Sequence, residues 1–271
     1  MSLTSILNTQ ITWAGTRPRR TQVLDRLEDN LFLPLHPATY AEFARGSGDE
    51  LGLGGRTAKM RSLRSSSALA CNIFDPWRGH ALGPLVHALE VEGKFSEIAF
   101  EQKLPHGLGS FPPNLDVMLF GREIAPVGIE AKFAEPYGHK DPRPPLDDKY
   151  FPDDRQRWGA LGLHRSQSLA KAIGRSTYFT QLDVGQLLKH VLGLATTFLR
   201  FQPIRLRYVW FDSNGPEDDS HRKEIARFAE FLGNEVDFAA IRYQDIYARL
   251  ASTPEPEPGY LAYLKSRYFA T

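Results

Sequence analysis

Cysteine is nearly absent from this sequence: Cys71 is the single one among 271 residues. One thiol cannot form an intrachain disulfide, and it excludes a zinc site built from several cysteines. Because disulfides accumulate in oxidising compartments, we expect this chain in the reducing cytoplasm.

Long apolar runs are missing too. No stretch reaches the roughly 18 apolar residues that a membrane-spanning helix requires. Residues 1–9 lack the basic start and the apolar core of a secretory signal. The sequence therefore predicts neither a membrane span nor a signal peptide, and we find no internal repeats in it.

An excess of one charge is also lacking, because 33 Lys and Arg against 32 Asp and Glu leave a net charge of +1. Phosphate contacts from basic side chains supply most non-specific affinity for nucleic acid, so any such surface must be local. Residues 56–64 contain no acid and four basic residues, namely Arg56, Lys59, Arg61 and Arg64. This segment suits a phosphate clamp, and a solvated basic turn is the alternative.

Two short apolar runs, residues 113–120 and 126–133, each carry charged side chains. Both are rich in β-branched or aromatic residues and shorter than a typical helix, so we expect strands. Residues two apart on a strand share a face, which puts Glu130 and Lys132 side by side. The short linker between the runs suits a hairpin, and the hairpin would bring Asp116 next to both.

Such a group of side chains favours one kind of chemistry. Two neighbouring carboxylates repel each other unless a cation lies between them, and Mg²⁺ prefers hard oxygen ligands. A lysine on the same face could stabilise the charge that develops on a phosphate, or hold the attacking water. Asp116, Glu130 and Lys132 therefore indicate metal-assisted phosphodiester hydrolysis. The alternative is an exposed hairpin with a surface ion pair worth about 0 to 1 kcal/mol, which the apolar flanks disfavour.

The pattern reads Pro113-Asn114-Leu115-Asp116, then thirteen residues, then Glu130-Ala131-Lys132. It resembles the PD-(D/E)XK, or restriction-endonuclease-like, superfamily of nucleases. The resemblance implies that Asp116, Glu130 and the main-chain carbonyl of Ala131 bind Mg²⁺, with Mn²⁺ as a substitute. It also implies that Lys132 serves the nucleophilic water. One departure is that two residues separate Pro113 from Asp116.

The superfamily core runs helix, three strands, helix, strand, and the sequence predicts these elements in that order. Periodicity and capping residues predict helices over 65–74, 81–90 and 182–195, and strands over 96–104, 113–120, 126–133 and 205–212. The implied fold is α/β, a mixed sheet with an αβββαβ core flanked by helices, with helical extensions at both ends. Residues 62–250 also resemble an uncharacterised bacterial branch of the superfamily.

Outside the core, further elements are predicted. We expect an N-terminal extension over 1–61, a nuclease core over 62–250 that contains a polar insertion at 138–180, and a C-terminal spacer and helix over 251–271 packed on the core. Patterns also favour helices over 38–44, 161–173 and 221–232 and a strand over 236–243.

Many superfamily members add an acid from the first helix and a polar residue from the helix after the third strand. Glu90 is the candidate for the former, with Glu92 and Glu101 as competitors and a solvated acid as the alternative. Gln186, Lys189 and His190 are the candidates for the latter, where they would hold substrate phosphate or the lysine. A surface amide and a core histidine are the alternatives for Gln186 and His190.

Taken together, the sequence predicts a Mg²⁺-dependent nuclease that acts on DNA. A homodimer is one assembly that this prediction allows. A noncatalytic nucleic-acid-binding or protein-binding module on the same scaffold is the alternative, because one fold hosts unrelated functions. The pattern leaves open endo- or exonuclease action, the DNA or RNA target and the pathway.

Overall fold

The centre of the fold is a five-stranded mixed sheet in the order β1-β2-β3-β4-β5. Its strands are β1 Glu97–Lys103, β2 Asn114–Phe120, β3 Val127–Lys132, β4 Ile204–Trp210 and β5 Val236–Arg242. β1, β2 and β3 pair antiparallel, whereas β3, β4 and β5 pair parallel. The predicted hairpin between the second and third core strands is therefore present.

This computed structural model describes residues 3–15, 22–46, 48–108, 112–137, 146–151, 156–173 and 179–269. Parts of the insertion predicted at 138–180 lie outside the described residues, namely 138–145, 152–155 and 174–178. No helix in the described ranges combines the length and the apolar character needed to cross a membrane.

Helices surround the sheet. They are α1 Leu3–Ala14, α2 Pro37–Arg45, α3 Ser66–Phe74, α4 Gly83–Ala88, α5 His164–Ala172, α6 Val184–Thr197, α7 Pro216–Leu232, α8 Tyr243–Leu250 and α9 Tyr260–Tyr268. The predicted order of core elements and the α/β class are confirmed. The sequence patterns did not predict α1 or α8, and α8 begins immediately where β5 ends.

Local chemistry explains where the core helices begin. The Ser65 hydroxyl accepts a hydrogen bond from the Ala68 N–H at 3.1 Å and caps α3. The Asp183 carboxylate accepts one from the Gln186 N–H at 3.0 Å and caps α6. Such caps satisfy N–H groups that lack partners within the helix, which fixes the first turn.

α6 lies directly on β3, and a glycine permits this close approach. A Cβ on Gly128 would stand 3.1 Å from the nearest Leu194 methyl and 2.6 Å from a Leu115 methyl. A larger residue at this position would therefore push α6 away from the sheet. The close contact brings the first half of α6 over the charged residues of β3.

Candidate active site

The strands β2 and β3 separate at Asp116. Their pairing runs from Leu119 opposite Val127 to Val117 opposite Ile129 and then stops. At the next position the Asp116 carboxylate replaces the backbone, because its Oδ2 accepts a hydrogen bond from the Ala131 N–H at 2.7 Å. The carboxylate is thereby fixed at the point where the two strands part.

β1 is disturbed at the same level of the sheet. Glu101 lies between two paired positions, Phe100 opposite Val117 and Gln102 opposite Leu115, which puts it across from Asp116. Its φ of +50° is in the left-handed region that non-glycine residues rarely adopt. Strained backbone of this kind is frequent at functional sites.

Glu130 lies at the centre of an ion-pair group. Its Oε1 pairs with Lys132 Nζ, and its Oε2 lies 2.9 Å from Nε2 of His190 on α6. The side chains of Glu130 and His190 are essentially inaccessible, whereas 17% of the Lys132 side chain is exposed. The lysine is therefore the member of the group that can be reached from solvent.

Burial and charge give the two carboxyls different pKa values. Burial raises the pKa of Asp116 well above its ordinary range, and the negative charge of Glu130 adds to this effect. Burial alone would also raise the pKa of Glu130, but the charges of Lys132 and His190 lower it to about 2. Burial would lower the pKa of Lys132, but the carboxylates of Glu130 and Asp116 raise it instead. The arrangement favours an ionised Glu130 beside a protonated Lys132.

The site offers a small set of ligands to a divalent cation. In the described part of the chain, no group of three or more His, Cys, Asp and Glu side chains is arranged to hold a metal. Two carboxylates and the Ala131 carbonyl are a small set of hard oxygens, which suits Mg²⁺ because that ion keeps several of its waters. A cation would also relieve the repulsion between Asp116 and Glu130. These residues therefore fit the metal that the resemblance implies.

Glu101 is a further acid close to this group. It accepts a hydrogen bond from Asn114 Nδ2 at 3.1 Å. Burial raises its pKa, and the charges of Glu50 and Glu130 act in the same direction. Asn114 stands two residues before Asp116, so Glu101 is linked to the strand that carries the catalytic candidate.

Glu90 is not brought to the site. α4 ends at Ala88, and the exposed Glu90 side chain pairs with Arg249 of α8. Its carbonyl accepts a hydrogen bond from Arg207 at 3.1 Å. Arg207 is paired with Ile129, whose side chain lies on the sheet face opposite Glu130. The body of the sheet therefore separates Glu90 from Asp116 and Glu130.

The three candidates on α6 have different surroundings. His190 contacts Glu130, as described above. Lys189 points to the ring of Tyr150, with its Nζ 5.6 Å from the ring centroid. Gln186 is half-buried one turn before His190. Only His190 makes a direct contact with the acidic pair among the described contacts of these three.

The four basic residues of the segment 56–64 also have different surroundings. Arg56 pairs with the Asp49 carboxylate, and Arg61 donates from Nε to the Leu24 carbonyl at 2.6 Å. Lys59 and Arg64 instead line a cavity of about 350 Å³. Its other lining residues are Glu50, Ser62, the three serines at the start of α3, Ala134 and Glu135. Since Ala134 and Glu135 follow Lys132 closely in the chain, this cavity, the strand-end groove, adjoins the site.

Sequence reasoning missed a buried pair behind the site. Tyr208 is paired with Glu130 across β3 and β4, and its hydroxyl lies 3.0 Å from Nε2 of His221. Both side chains are buried. In the sequence they look like ordinary core residues, and only the parallel register of β4 with β3 would have placed Tyr208 beside Glu130.

One comparison with known proteins identifies the family. The model of the family described as Restriction Endonuclease associating with ARP matches residues 11–269. No curated protein and no solved structure matches the chain. The family match includes all five strands and the group around Asp116, and the mixed sheet agrees with a restriction-endonuclease-like fold. The chain belongs to this family of restriction endonucleases associating with ARP.

Proposed function

We propose that this protein is a metal-dependent nuclease that hydrolyses phosphodiester bonds in DNA. The observation that carries the proposal is the meeting of Asp116, Glu130 and Lys132 where β2 and β3 separate. Membership of a restriction-endonuclease family supports nuclease activity and nucleic-acid binding in general. DNA as substrate and the need for a metal belong to the proposal.

Different neighbours orient the two carboxylates that we propose as metal ligands. Asp116, Glu130 and the Ala131 carbonyl would hold Mg²⁺ or Mn²⁺, which when bound supplies positive charge to the phosphate and lowers the pKa of a water. The Ala131 N–H fixes Asp116, and His190 fixes the far oxygen of Glu130. Both carboxylates are thus oriented by neighbours before a substrate arrives, which limits reorganisation during the reaction.

In this proposal Lys132 contacts the reacting atoms. Its raised pKa keeps the ammonium protonated, so it can donate to a phosphate oxygen or to the attacking water. A protonated lysine cannot itself accept the proton of that water. The proton would therefore leave through solvent or a substrate oxygen, and Lys132 holds and orients the water.

The strand-end groove supports the choice of a phosphate polymer as substrate. Lys59 and Arg64 lie beside Glu135. Neither side chain forms an ion pair within the described part of the chain. Contacts from such residues position a nucleic acid without reading its bases. Arg56 and Arg61 are engaged elsewhere, so we assign the phosphate contact to Lys59 and Arg64.

Cleavage of plasmid DNA tests the proposal. Purified protein is incubated with supercoiled plasmid, linear DNA and RNA in Mg²⁺, in Mn²⁺ and in EDTA. We expect metal-dependent cleavage of DNA that is lost in Asp116→Ala and in Lys132→Ala. Glu28→Gln is the matched control, because Glu28 is an exposed acid that pairs only with its neighbour Arg26 in the described part of the chain. Cleavage that persists unchanged in both site variants would disprove the mechanism.

One observation favours the alternative of a binding module. Glu130 is only 1% exposed and already paired with Lys132 and His190. If these ion pairs are the final state of the site, the protein binds DNA without cutting it. A gel-shift assay beside the cleavage assay separates the two functions. Light scattering of the same samples, with and without DNA, tests whether a homodimer forms for cleavage of both strands.

A further inference from the structure

A second cavity lies on the side of α6 that faces away from the sheet. His190 and Leu194 are one turn apart on the side of α6 that contacts β3. Leu192 and Thr196 point to the opposite side of the helix, because each residue advances by about 100°, and both line this cavity. Its volume is about 510 Å³, and we call it the outer cavity. Pockets for small ligands commonly measure about 300 to 1,000 Å³.

The polar lining of the outer cavity is cationic or neutral. It includes Arg157, His106, His164, Gln156 and Thr196. No carboxylate lines it among the residues that the structure describes. This distinguishes it from the strand-end groove, where Glu50 and Glu135 lie beside the cations.

Arg157 brings a partly buried guanidinium to this cavity. Its Nε is buried and has no hydrogen-bond partner within the described ranges. Its Nη1 lies 3.9 Å from where a Cβ on Gly107 would be, and Gly107 also lines the cavity. A guanidinium nitrogen that is withdrawn from water without a hydrogen-bond partner is costly, and an anion bound there would relieve this cost. The planar fork of arginine suits a phosphate group best.

The orientation of His106 in the cavity wall is defined by its neighbours. The Leu108 N–H donates a hydrogen bond to its Nδ1 at 3.2 Å. In the neutral ring the proton is therefore on Nε2. The ring also packs edge-on against Tyr150, with 5.7 Å between the ring centroids. Its orientation is thus fixed from two sides.

The wall that carries Arg157 is held in place by its neighbour Trp158. The Trp158 indole donates to the Leu188 carbonyl of α6 at 2.9 Å, and its backbone N–H donates to Gln167 of α5 at 3.1 Å. The Trp158 side chain is completely buried. The backbone next to Arg157 is therefore held in place, and a ligand would not need to order this part of the wall.

We propose that the outer cavity binds a phosphorylated small molecule of about the size of a mononucleotide. Arg157 and His106 hold the phosphate, and Leu161 and Leu192 contact the apolar body of the ligand. The phosphate monoester is the chemistry that these groups recognise, and a free nucleotide or the 5′-phosphate end of a strand could supply it. The site is separate from Asp116 and Glu130, so the proposal does not depend on nuclease activity.

Isothermal titration calorimetry on the metal-free, full-length protein tests this site. The probes are deoxyadenosine 5′-monophosphate, inorganic phosphate, deoxyadenosine, and one short oligonucleotide with and without a 5′-phosphate. We expect the monophosphate to bind with a Kd of about 0.1 to 1 mM, inorganic phosphate to bind more weakly, and deoxyadenosine not to bind. Binding of the oligonucleotide that requires its 5′-phosphate would assign the strand end as the source, and its absence would assign the free nucleotide.

Variants locate the binding. Arg157→Gln removes a charge-assisted hydrogen bond and should therefore weaken the binding of the monophosphate by about tenfold or more. His106→Gln is a second variant of similar size, with a smaller loss expected. Arg26→Gln, at an exposed arginine, is the control, and Arg64→Gln tests whether the phosphate binds in the strand-end groove instead. Circular dichroism verifies that each variant is folded.

Three outcomes would overturn the proposal: no heat from any phosphorylated probe, unchanged affinity in both Arg157→Gln and His106→Gln, or loss of affinity in Arg64→Gln alone. Failure of the nuclease proposal gives a different result. In that case cleavage is absent, while Lys132→Ala and the wild type bind the monophosphate equally.

Discussion

Two buried acidic sites in this protein are built on opposite principles. Asp218, in the first turn of α7, accepts hydrogen bonds from the Ser213 N–H at 3.0 Å, from the Ser213 hydroxyl at 2.6 Å and from the Gly215 N–H. Burial would raise the pKa of Asp218, but hydrogen bonds from Ser213 and Tyr137 lower it. Asp116 has one backbone donor and a carboxylate neighbour, and its pKa is raised.

The difference separates an acid that stabilises the fold from an acid for which we propose a role in the reaction. Neutral donors surround Asp218, so its charge is satisfied by the chain itself. Asp116 and Glu130 are neighbouring acids, and the charged side chains that pair with Glu130 in the described part of the chain are Lys132 and His190. Perturbed carboxyls in such conflict are typical of sites that a cation or a substrate completes. Five predictions test this contrast.

The largest expected effect is on cleavage in Asp116→Asn. The amide keeps an oxygen for the Ala131 N–H but removes the charge that a metal needs, so activity should fall by about 10³-fold or more. Because a partly buried charge beside Glu130 is also removed, the free energy of unfolding in EDTA should stay unchanged or rise. Plasmid cleavage and urea denaturation measure the two quantities. A variant that is both active and destabilised would make Asp116 a structural acid like Asp218.

A smaller loss is expected in His190→Gln. Groups that orient a metal-binding carboxylate typically change affinity or activity by about tenfold to a hundredfold. Glutamine can still donate to Glu130, so cleavage should be weakened rather than abolished, and a higher metal concentration should recover part of it. A cleavage titration with Mn²⁺ measures the shift. An unchanged metal requirement would show that His190 only fills the core.

The sequence was sufficient to predict the pair on β3, because period-two alternation puts Glu130 and Lys132 on one face. It also indicated His190, which follows from the strong helical pattern of α6. The separation of β2 from β3 could not be predicted, since a side-chain hydrogen bond replaces the ladder at Asp116. The periodicity of a sequence does not indicate where a side chain takes the place of a backbone group in strand pairing.

Other elements were less predictable for different reasons. The helix pattern continues through Glu90, but the chain turns after Ala88 and Glu90 has a φ of +52°. The α8 helix starts at the last residue of the expected strand, so its beginning has no turn signal. The outer cavity depends on loops that are distant in sequence, with Gly107 and Arg157 meeting over α6.

Asp218→Asn should have the opposite effects to Asp116→Asn, with lower stability and retained cleavage. The variant loses charge-assisted hydrogen bonds at the start of α7, which should lower the free energy of unfolding by about 2 kcal/mol. Plasmid cleavage at a temperature where the variant is folded should persist. Urea denaturation of both proteins measures the difference, and Asp219→Asn, which alters an exposed acid of the same helix, is the control. A variant as stable as the wild type would contradict the structural role of Asp218.

The sign of the pH dependence at Asp218 follows from its lowered pKa. Its contribution is present above the pKa of the unfolded chain and is lost as the pH falls toward the lower pKa of the folded state. Acidification from pH 7 to about pH 3 should therefore narrow the difference in stability between the wild type and Asp218→Asn. Urea denaturation across this range measures the difference, and a gap that widens on acidification would contradict the prediction.

The smallest effect is expected in Glu90→Gln. Glu90 is exposed and its ion pair with Arg249 lies across the sheet from Glu130, so the change should cost about 0 to 1 kcal/mol of stability. Cleavage should match the wild type within about twofold, because Glu90 reaches neither the proposed metal ligands nor Lys132. Parallel measurement of Glu101→Gln makes this small effect informative, since Glu101 lies across from Asp116. If Glu90→Gln lowered cleavage more than Glu101→Gln, the acid that lies across from Asp116 would not be the acid that the reaction uses.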